Sequence, residues 1–193
     1  MPGGTVPGGN MQAGLKLANA LTRLCDWAAR IAAVMMVLLV FVIMYDVIGR
    51  KFFATGSFVL QELEWHIHGV VAVFAFGYAY TRNAHVRIDV LADRMSNRFR
   101  LWLEFWVILL LVIPFFSFVV WYGYEFAERA FVRGEGANGG RGLPHRWIIK
   151  SAIPISALIT IAGCLAVALR ILTVLRRPDL LTDPFIERPL WKR

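Results

Sequence analysis

Charge is scarce in this sequence. Of its 193 residues, 18% are Asp, Glu, Lys or Arg and 58% are hydrophobic; a soluble domain carries about 25% charged and roughly 45–50% apolar residues. That deficit excludes a disordered chain and a coiled coil and weighs against a water-soluble globule. Acid is scarcer than base, 13 residues against 21, for a net charge of +8. The basic residues lie between long apolar runs, the spacing of a membrane protein, so no nucleic-acid partner is expected. Cysteine is limited to Cys25 and Cys164. Both map to the cytoplasmic half, where a disulfide does not persist, and neither has a metal-ligand partner at useful spacing, so both read as small packing residues. No GxGxxG follows a strand and no GxxxxGK[ST] occurs, which removes support for nucleotide binding.

The apolar runs are the strongest positive signal. A helix needs roughly 20 apolar residues to cross the hydrocarbon core. Ile31–Ile48, Leu101–Tyr122 and Ile148–Leu169 meet that length with few charges. Gly69–Tyr80 is shorter and must extend back through Leu60, taking in Glu62, Glu64, His66 and His68, to span. Basic residues favour that extension. With four spans, fourteen Arg and Lys fall on the side of the N-terminus and seven on the other, which places both termini in the cytoplasm. Three spans would put the basic C-terminal cluster outside. Trp27 and Trp102 then fall at inner ends, and Trp65, Trp121 and Trp147 at outer ends, the headgroup levels that amphipathic rings prefer.

The first ten residues, with four Gly and two Pro, read as a disordered tail. Over 11–30, Lys16, Asn19, Arg23, Asp26 and Arg30 recur at helical spacing, with Leu17, Leu21, Leu24 and Ala28 opposite. This predicts an amphipathic helix on the inner leaflet that turns into the first span. The apolar run after it is longer than a signal-peptide core and lacks a small-residue cleavage site, so no cleaved signal is expected. The fold class expected is therefore all-α, an integral membrane bundle of four transmembrane helices over 31–172. An amphipathic interfacial helix precedes it and a cytoplasmic tail over 173–193 follows it.

Lipid tails give helices no hydrophobic reason to associate, so small residues mark the seams. Ser156, Thr160, Cys164 and Ala168 form such a stripe, as do Gly69, Ala72 and Ala79, and the alanines 28, 29, 32 and 33 cluster near the inner end. Phe115, Phe116 and Phe118 face lipid or a partner, and Pro114 and Pro154 each remove a helical hydrogen bond. The ionisable residues at membrane depth are the site candidates. Arg50 closes the first span and Glu62 opens the second, so an ion pair across the short turn would lock those two helices or meet a partner. The alternative is two solvated charges at the headgroup level. Haem is an alternative class, but His66 and His68 diverge by about 200° on a helix, and His85 and His145 lie on opposite sides of the membrane. The same divergence argues against zinc, and no nucleophile–base arrangement converges, so no enzyme is expected.

Three stretches carry a resemblance: Tyr45-Asp-Val-Ile-Gly-Arg-Lys-Phe-Phe53, Leu60-Gln-Glu-Leu-Glu64, and Gly77-Tyr-Ala-Tyr-Thr-Arg-Asn-Ala-His-Val-Arg-Ile-Asp-Val-Leu91. In this order and spacing the chain resembles the small permease subunit of tripartite ATP-independent periplasmic (TRAP) transporters, the DctQ family. Arg50 and Phe52, Glu62 and Leu63, and His85 and Asp89 match the family pattern, with Lys51 as a departure. Gly142-Leu-Pro-His-Arg-Trp147, with Pro154 following, fits the approach to the family's fourth helix. The resemblance implies a four-span inner-membrane subunit that braces a large multi-span permease subunit. That partner would hold the substrate and sodium sites, and a periplasmic binding protein would deliver an organic acid. No cofactor is expected in this subunit. Arg50, Glu62, His85 and Asp89 become candidate helix-locking or partner-interface residues. Arg129, Arg133, Arg141 and Arg146 in the outer loop become candidates for docking the binding protein. A stand-alone membrane chaperone and a haem-binding redox protein are the alternatives.

Overall fold

The computed structural model describes residues 9–82, 96–136 and 142–176 and contains helices and no strand among them. The elements are α1 (Gly9–Phe53), α2 (Phe58–Thr81), α3 (Asn97–Val107), a π-helical turn (Ile108–Val112), α4 (Ile113–Val132) and α5 (Trp147–Arg176). The tail before residue 9, the segment 83–95 with His85 and Asp89, the stretch 137–141 with Arg141, and 177–193 lie outside the described residues.

α1 is one helix of 45 residues, about 67 Å at 1.5 Å per residue. No proline interrupts it and its glycines sit near its ends, so nothing in the sequence makes it turn between the polar and the apolar parts. The stretch 11–30, expected as an interfacial helix, is continuous with the apolar run, with no break between them. The reason is packing: Ala18, Cys25, Ala32, Leu39 and Asp46, seven residues apart, are all buried along one side. A heptad seam of that length holds a helix against neighbours at a shallow crossing angle. Leu17 and Leu24, expected on the apolar stripe, are 53% and 47% exposed. Small residues form the seam because they permit close approach.

The end of α1 is built locally. The chain turns through Ala54 in the left-handed region, φ 51°, and the Thr55 N–H donates to the Gly49 carbonyl at 3.2 Å. A Cβ on Gly49 would lie 2.9 Å from Thr55 Oγ1, so the turn needs glycine there. Ser96 caps α3, its hydroxyl accepting from the Phe99 N–H. The π-helical turn sits immediately before Pro114, whose ring has no N–H and would press on the carbonyl four residues back. One wider turn relieves this, and Ile113 N–H donates to the Ile108 carbonyl five residues earlier. α4 stops in a Schellman motif. Glu135 N–H donates to Ala130 O, Gly134 N–H to Phe131 O, and Gly134 takes φ 59°.

α5 is the hub. It packs against α1, α2 and the α3–α4 helix, and Ser156, Thr160, Cys164 and Ala168, the expected small stripe, are all buried. On α2 the buried small residue is Gly77, while Gly69 and Ala72 are exposed. The contact is close. A Cβ on Gly77 would meet Ile159 O at 3.1 Å and Cys25 Sγ at 3.3 Å, and one on Gly163 would meet Gly77 O at 2.9 Å. Cys25 Sγ lies 3.5 Å from Ile159 O as a weak donor. Three helices therefore touch almost backbone to backbone at one level.

By length and composition three helical segments are apolar enough to cross a membrane: Gln12–Phe53, Asn97–Val132 and Trp147–Arg176. α2 is not among them, since Glu62, Glu64, His66 and His68 occupy its first half. α5 continues to Arg176, past the domain end expected at 172.

Candidate functional site

The ionisable groups gather at the two ends of the bundle. One end holds the end of α1, the starts of α2 and α5, and the end of α4. Here Glu62 accepts from the Leu143 N–H at 2.6 Å and from Arg146 Nη2 at 2.7 Å. One carboxylate on α2 thus ties down the strap that leads into α5. Arg146 N–H in turn donates to the Glu135 carbonyl, and the Glu135 carboxylate pairs with Lys150 Nζ. Lys150 Nζ also sits 3.9 Å from the centroid of the Phe126 ring, a cation–π contact. Phe131 and Trp147 pack edge to face at 5.5 Å. α2, α4 and α5 are joined through this chain of contacts.

The Arg50–Glu62 pair expected across the turn is replaced by other partners. Arg50 pairs with Asp46, one helical turn back on α1, and Glu62 turns toward Arg146. The spacing along α1 decides it, because residues four apart are neighbours on a helix before any turn is considered. Arg50 still feels the charge of Glu64 on α2. Asp46 is buried, with Oδ1 lacking a hydrogen-bond partner, and the same holds for Glu64 Oε1. Of the other candidates, Arg129 lies 3.8 Å from Glu125, and Arg133 is exposed at the α4 end. Arg146 is engaged by Glu62. His66 Nδ1 meets the Glu62 carbonyl within its own helix. No group of three or more His, Cys, Asp or Glu able to hold a metal is found among the described residues.

The opposite end has its own clasp, built from residues outside the site candidates that the sequence offers. Arg82 Nη2 donates to Asp26 Oδ1 at 3.0 Å and its guanidinium lies 5.3 Å from the Tyr78 ring. Arg170 Nη2 reaches Thr22 Oγ1 at 3.0 Å and Asn19 Oδ1 at 3.3 Å. Tyr80 donates to Glu104 at 2.7 Å, joining α2 to α3. Asn19 and Asp26 belong to the polar stripe that the sequence assigns to an interfacial helix, and Thr22, outside that stripe, lies between them.

Two outcomes follow from the Glu62 end. Glu62→Ala removes the acceptor of both Leu143 and Arg146, so amide exchange at 142–146 is expected to rise while exchange in the middle of α5 is unchanged. Equal rates in both proteins would show that the clasp holds nothing. The Lys150 ammonium beside Glu135 keeps that carboxyl below the ordinary glutamate range. A depressed folded value means the link stabilises fully above the unfolded glutamate value, about pH 4.3, and is lost as pH falls through the lower folded value. The protection factor at 133–136, corrected for the intrinsic pH dependence of amide exchange, is therefore expected to be flat from neutral pH down to about pH 4.3 and to fall only in stronger acid; a fall centred near neutrality would contradict the assignment.

No curated protein matches the sequence. The family described as tripartite ATP-independent periplasmic transporters, DctQ component, matches residues 39–176, a stretch that runs from Leu39 in the α1 seam to the end of α5 and takes in the Glu62 clasp, while Asn19, Thr22 and Asp26 of the opposite clasp precede it. A family of transporter components, rather than of enzymes, accounts for a helical chain with long apolar helices and paired charges at both ends. The chain belongs to the DctQ component family of tripartite ATP-independent periplasmic transporters.

Proposed function

We propose that the chain is a passive brace: a four-span subunit that holds the fixed part of a large multi-span permease, with both termini in the cytoplasm. The observation that carries this is the seam at Cys25, Gly77, Ile159 and Gly163, where three helices meet with no space for even one methyl group. Such a block resists deformation, which suits a stator and not a moving carrier. α2 supports the fourth span. Its 24 residues make about 36 Å of helix, longer than the hydrocarbon core, and it packs along both α1 and α5. Its polar first half meets Arg146, Leu143 and the Arg50 field, so its charges have protein partners at the membrane edge. In this reading the Glu62 end is periplasmic and the Arg82 end cytoplasmic, in the inner membrane.

Substrate and sodium sites belong to the large subunit, and the cargo is an organic acid brought by a periplasmic binding protein. Arg50, Glu62, His85 and Asp89 set the geometry against the permease. Arg133 and Arg141 offer positive charge to an acidic binding protein, with Arg129 and Arg146 contributing less because Glu125 and Glu62 neutralise them. The test is co-purification followed by reconstitution. The tagged chain is expected to bring down one large permease. Liposomes with both subunits and the binding protein are expected to take up solute on a sodium gradient, and liposomes with this chain alone to take up none. Uptake by the chain alone, or no permease in the eluate, would overturn the proposal.

A further inference from the structure

A groove of about 730 Å³ runs along the outside of the bundle between α4 and α5. Its origin is local: Gly123 lets α4 close on Pro154, with Pro154 Cδ 3.2 Å from where a Cβ would sit, and small Ala127 continues that side. Large residues then stand at the margins, Trp121, Tyr124, Phe131 and Trp147. The floor is aliphatic, and Ile155 and Leu158 in it are 47% and 55% exposed, so no helix among the described residues covers them. From Phe131 to Trp121 is ten residues of helix, about 15 Å, which is half of the roughly 30 Å hydrocarbon core and hence one leaflet deep.

The charges beside the groove are of both signs and closely spaced. Glu125 and Glu128 line it, and Glu128 has no ionic partner among the described residues. Arg129 follows directly; its Nε donates to the Glu125 carbonyl at 3.1 Å, and its exposed Nη2, 3.8 Å from the Glu125 carboxylate, is left able to meet another anion. Carboxylate next to guanidinium at the mouth of an apolar slot is the complement of a zwitterionic headgroup, ammonium beside phosphate. It disfavours a headgroup whose only charge is negative, since the carboxylates stand in its way. A primary ammonium also donates hydrogen bonds to a carboxylate, which a quaternary one does not.

We propose that this groove holds one acyl chain of an ethanolamine phospholipid, with its ammonium on Glu128 and its phosphate on Arg129. The proposal rests on the chain being a membrane subunit with the Glu62 end at a headgroup layer, and it does not depend on the permease. The occupant would wedge the α4–α5 face at the level of the Gly123–Pro154 contact and stiffen the brace.

The experiment is native mass spectrometry of the full chain in detergent, offered equal amounts of ethanolamine, choline and glycerol phospholipids with identical acyl chains. The ethanolamine adduct is expected to exceed each of the others by roughly two- to fivefold, the range for a partly exposed ion pair. Glu128→Lys is expected to move the preference to the glycerol lipid, and Leu158→Trp, which fills the floor, to lower all three adducts. Equal adducts for the three headgroups, or an unchanged preference in Glu128→Lys, would overturn the proposal. So would loss of the lipid on assembly with the permease together with a cross-link from a photoreactive side chain at position 158 to that subunit, because the groove would then be the subunit contact. Failure to co-purify a permease would count against the brace and leave the adduct pattern standing.

Discussion

Gly163→Ala is expected to lower the thermal midpoint of the purified chain and Gly14→Ala to raise it, although both replace a glycine inside an α-helix. In isolation, alanine is the better helix former by roughly 0.5–1 kcal/mol, because glycine loses more backbone freedom on folding. At Gly14 nothing lies within 4 Å of the new methyl group, so that gain is realised. At Gly163 the methyl group would sit 2.9 Å from the Gly77 carbonyl oxygen, 3.1 Å from Cys25 Sγ and 3.3 Å from Thr81 Cγ2. The nearest of these is backbone on another helix and cannot swing aside. Overpacking of this kind costs about 1–3 kcal/mol and outweighs the propensity gain. Gly163→Leu is expected to separate α2 from α5 altogether and to abolish recovery of a folded chain. The measurement is a thermal melt in detergent for the two alanine variants side by side. If Gly163→Ala proves as harmless as Gly14→Ala, the three-helix seam is not as close as described and the rigid brace loses its foundation.

The second large effect concerns the charge pair at the end of α1. Asp46 is 3% exposed and its pair with Arg50 is the one ionic contact it makes among the described residues. Arg50→Ala leaves that carboxylate buried and unpaired. Asp46→Leu removes the buried charge instead and leaves Arg50, which is partly exposed, free to be solvated. Breaking a buried pair from the exposed side strands a charge, whereas replacing the buried member with an apolar group of similar volume removes the desolvation penalty as well. Arg50→Ala is therefore expected to be the more damaging of the two, in yield of folded chain and in thermal midpoint, and the double variant to resemble Asp46→Leu. The reverse order, with Asp46→Leu the worse, would mean that the carboxylate serves something beyond Arg50.

How much of this was legible beforehand differs by residue. The apolar runs on α1, α3–α4 and α5 appear where hydrophobicity placed them, since crossing a bilayer requires a length of apolar residues that any single sequence displays. The Ser156, Thr160, Cys164 and Ala168 stripe was equally visible, because it lies within one helix at a period of four. The Arg50 and Glu62 partners were not. Both residues were recognised as groups needing a partner; the spacing of four to Asp46 could have named the partner of Arg50, but nothing in the sequence marks Arg146, eighty-four residues from Glu62, as the partner of that carboxylate. The unbroken length of α1 was missed for a related reason. Its 12–30 stretch has the polarity of an interfacial helix, and only the presence of α2 and α5 beside Ala18, Cys25 and Ala28 makes it bundle.

Composition and periodicity determined that this chain is helical and that it belongs in a membrane, and its Arg50, Glu62 and Gly142–Trp147 motifs carried the resemblance to a family. Those properties depend on what each segment is made of, and a segment carries its own composition. Tertiary structure decided which face of each helix turns inward, which acid meets which base, and that Gly77 and Gly163 meet across two helices. Those are relations between segments far apart in the chain, fixed by distances of a few ångströms that arise only when the helices have packed.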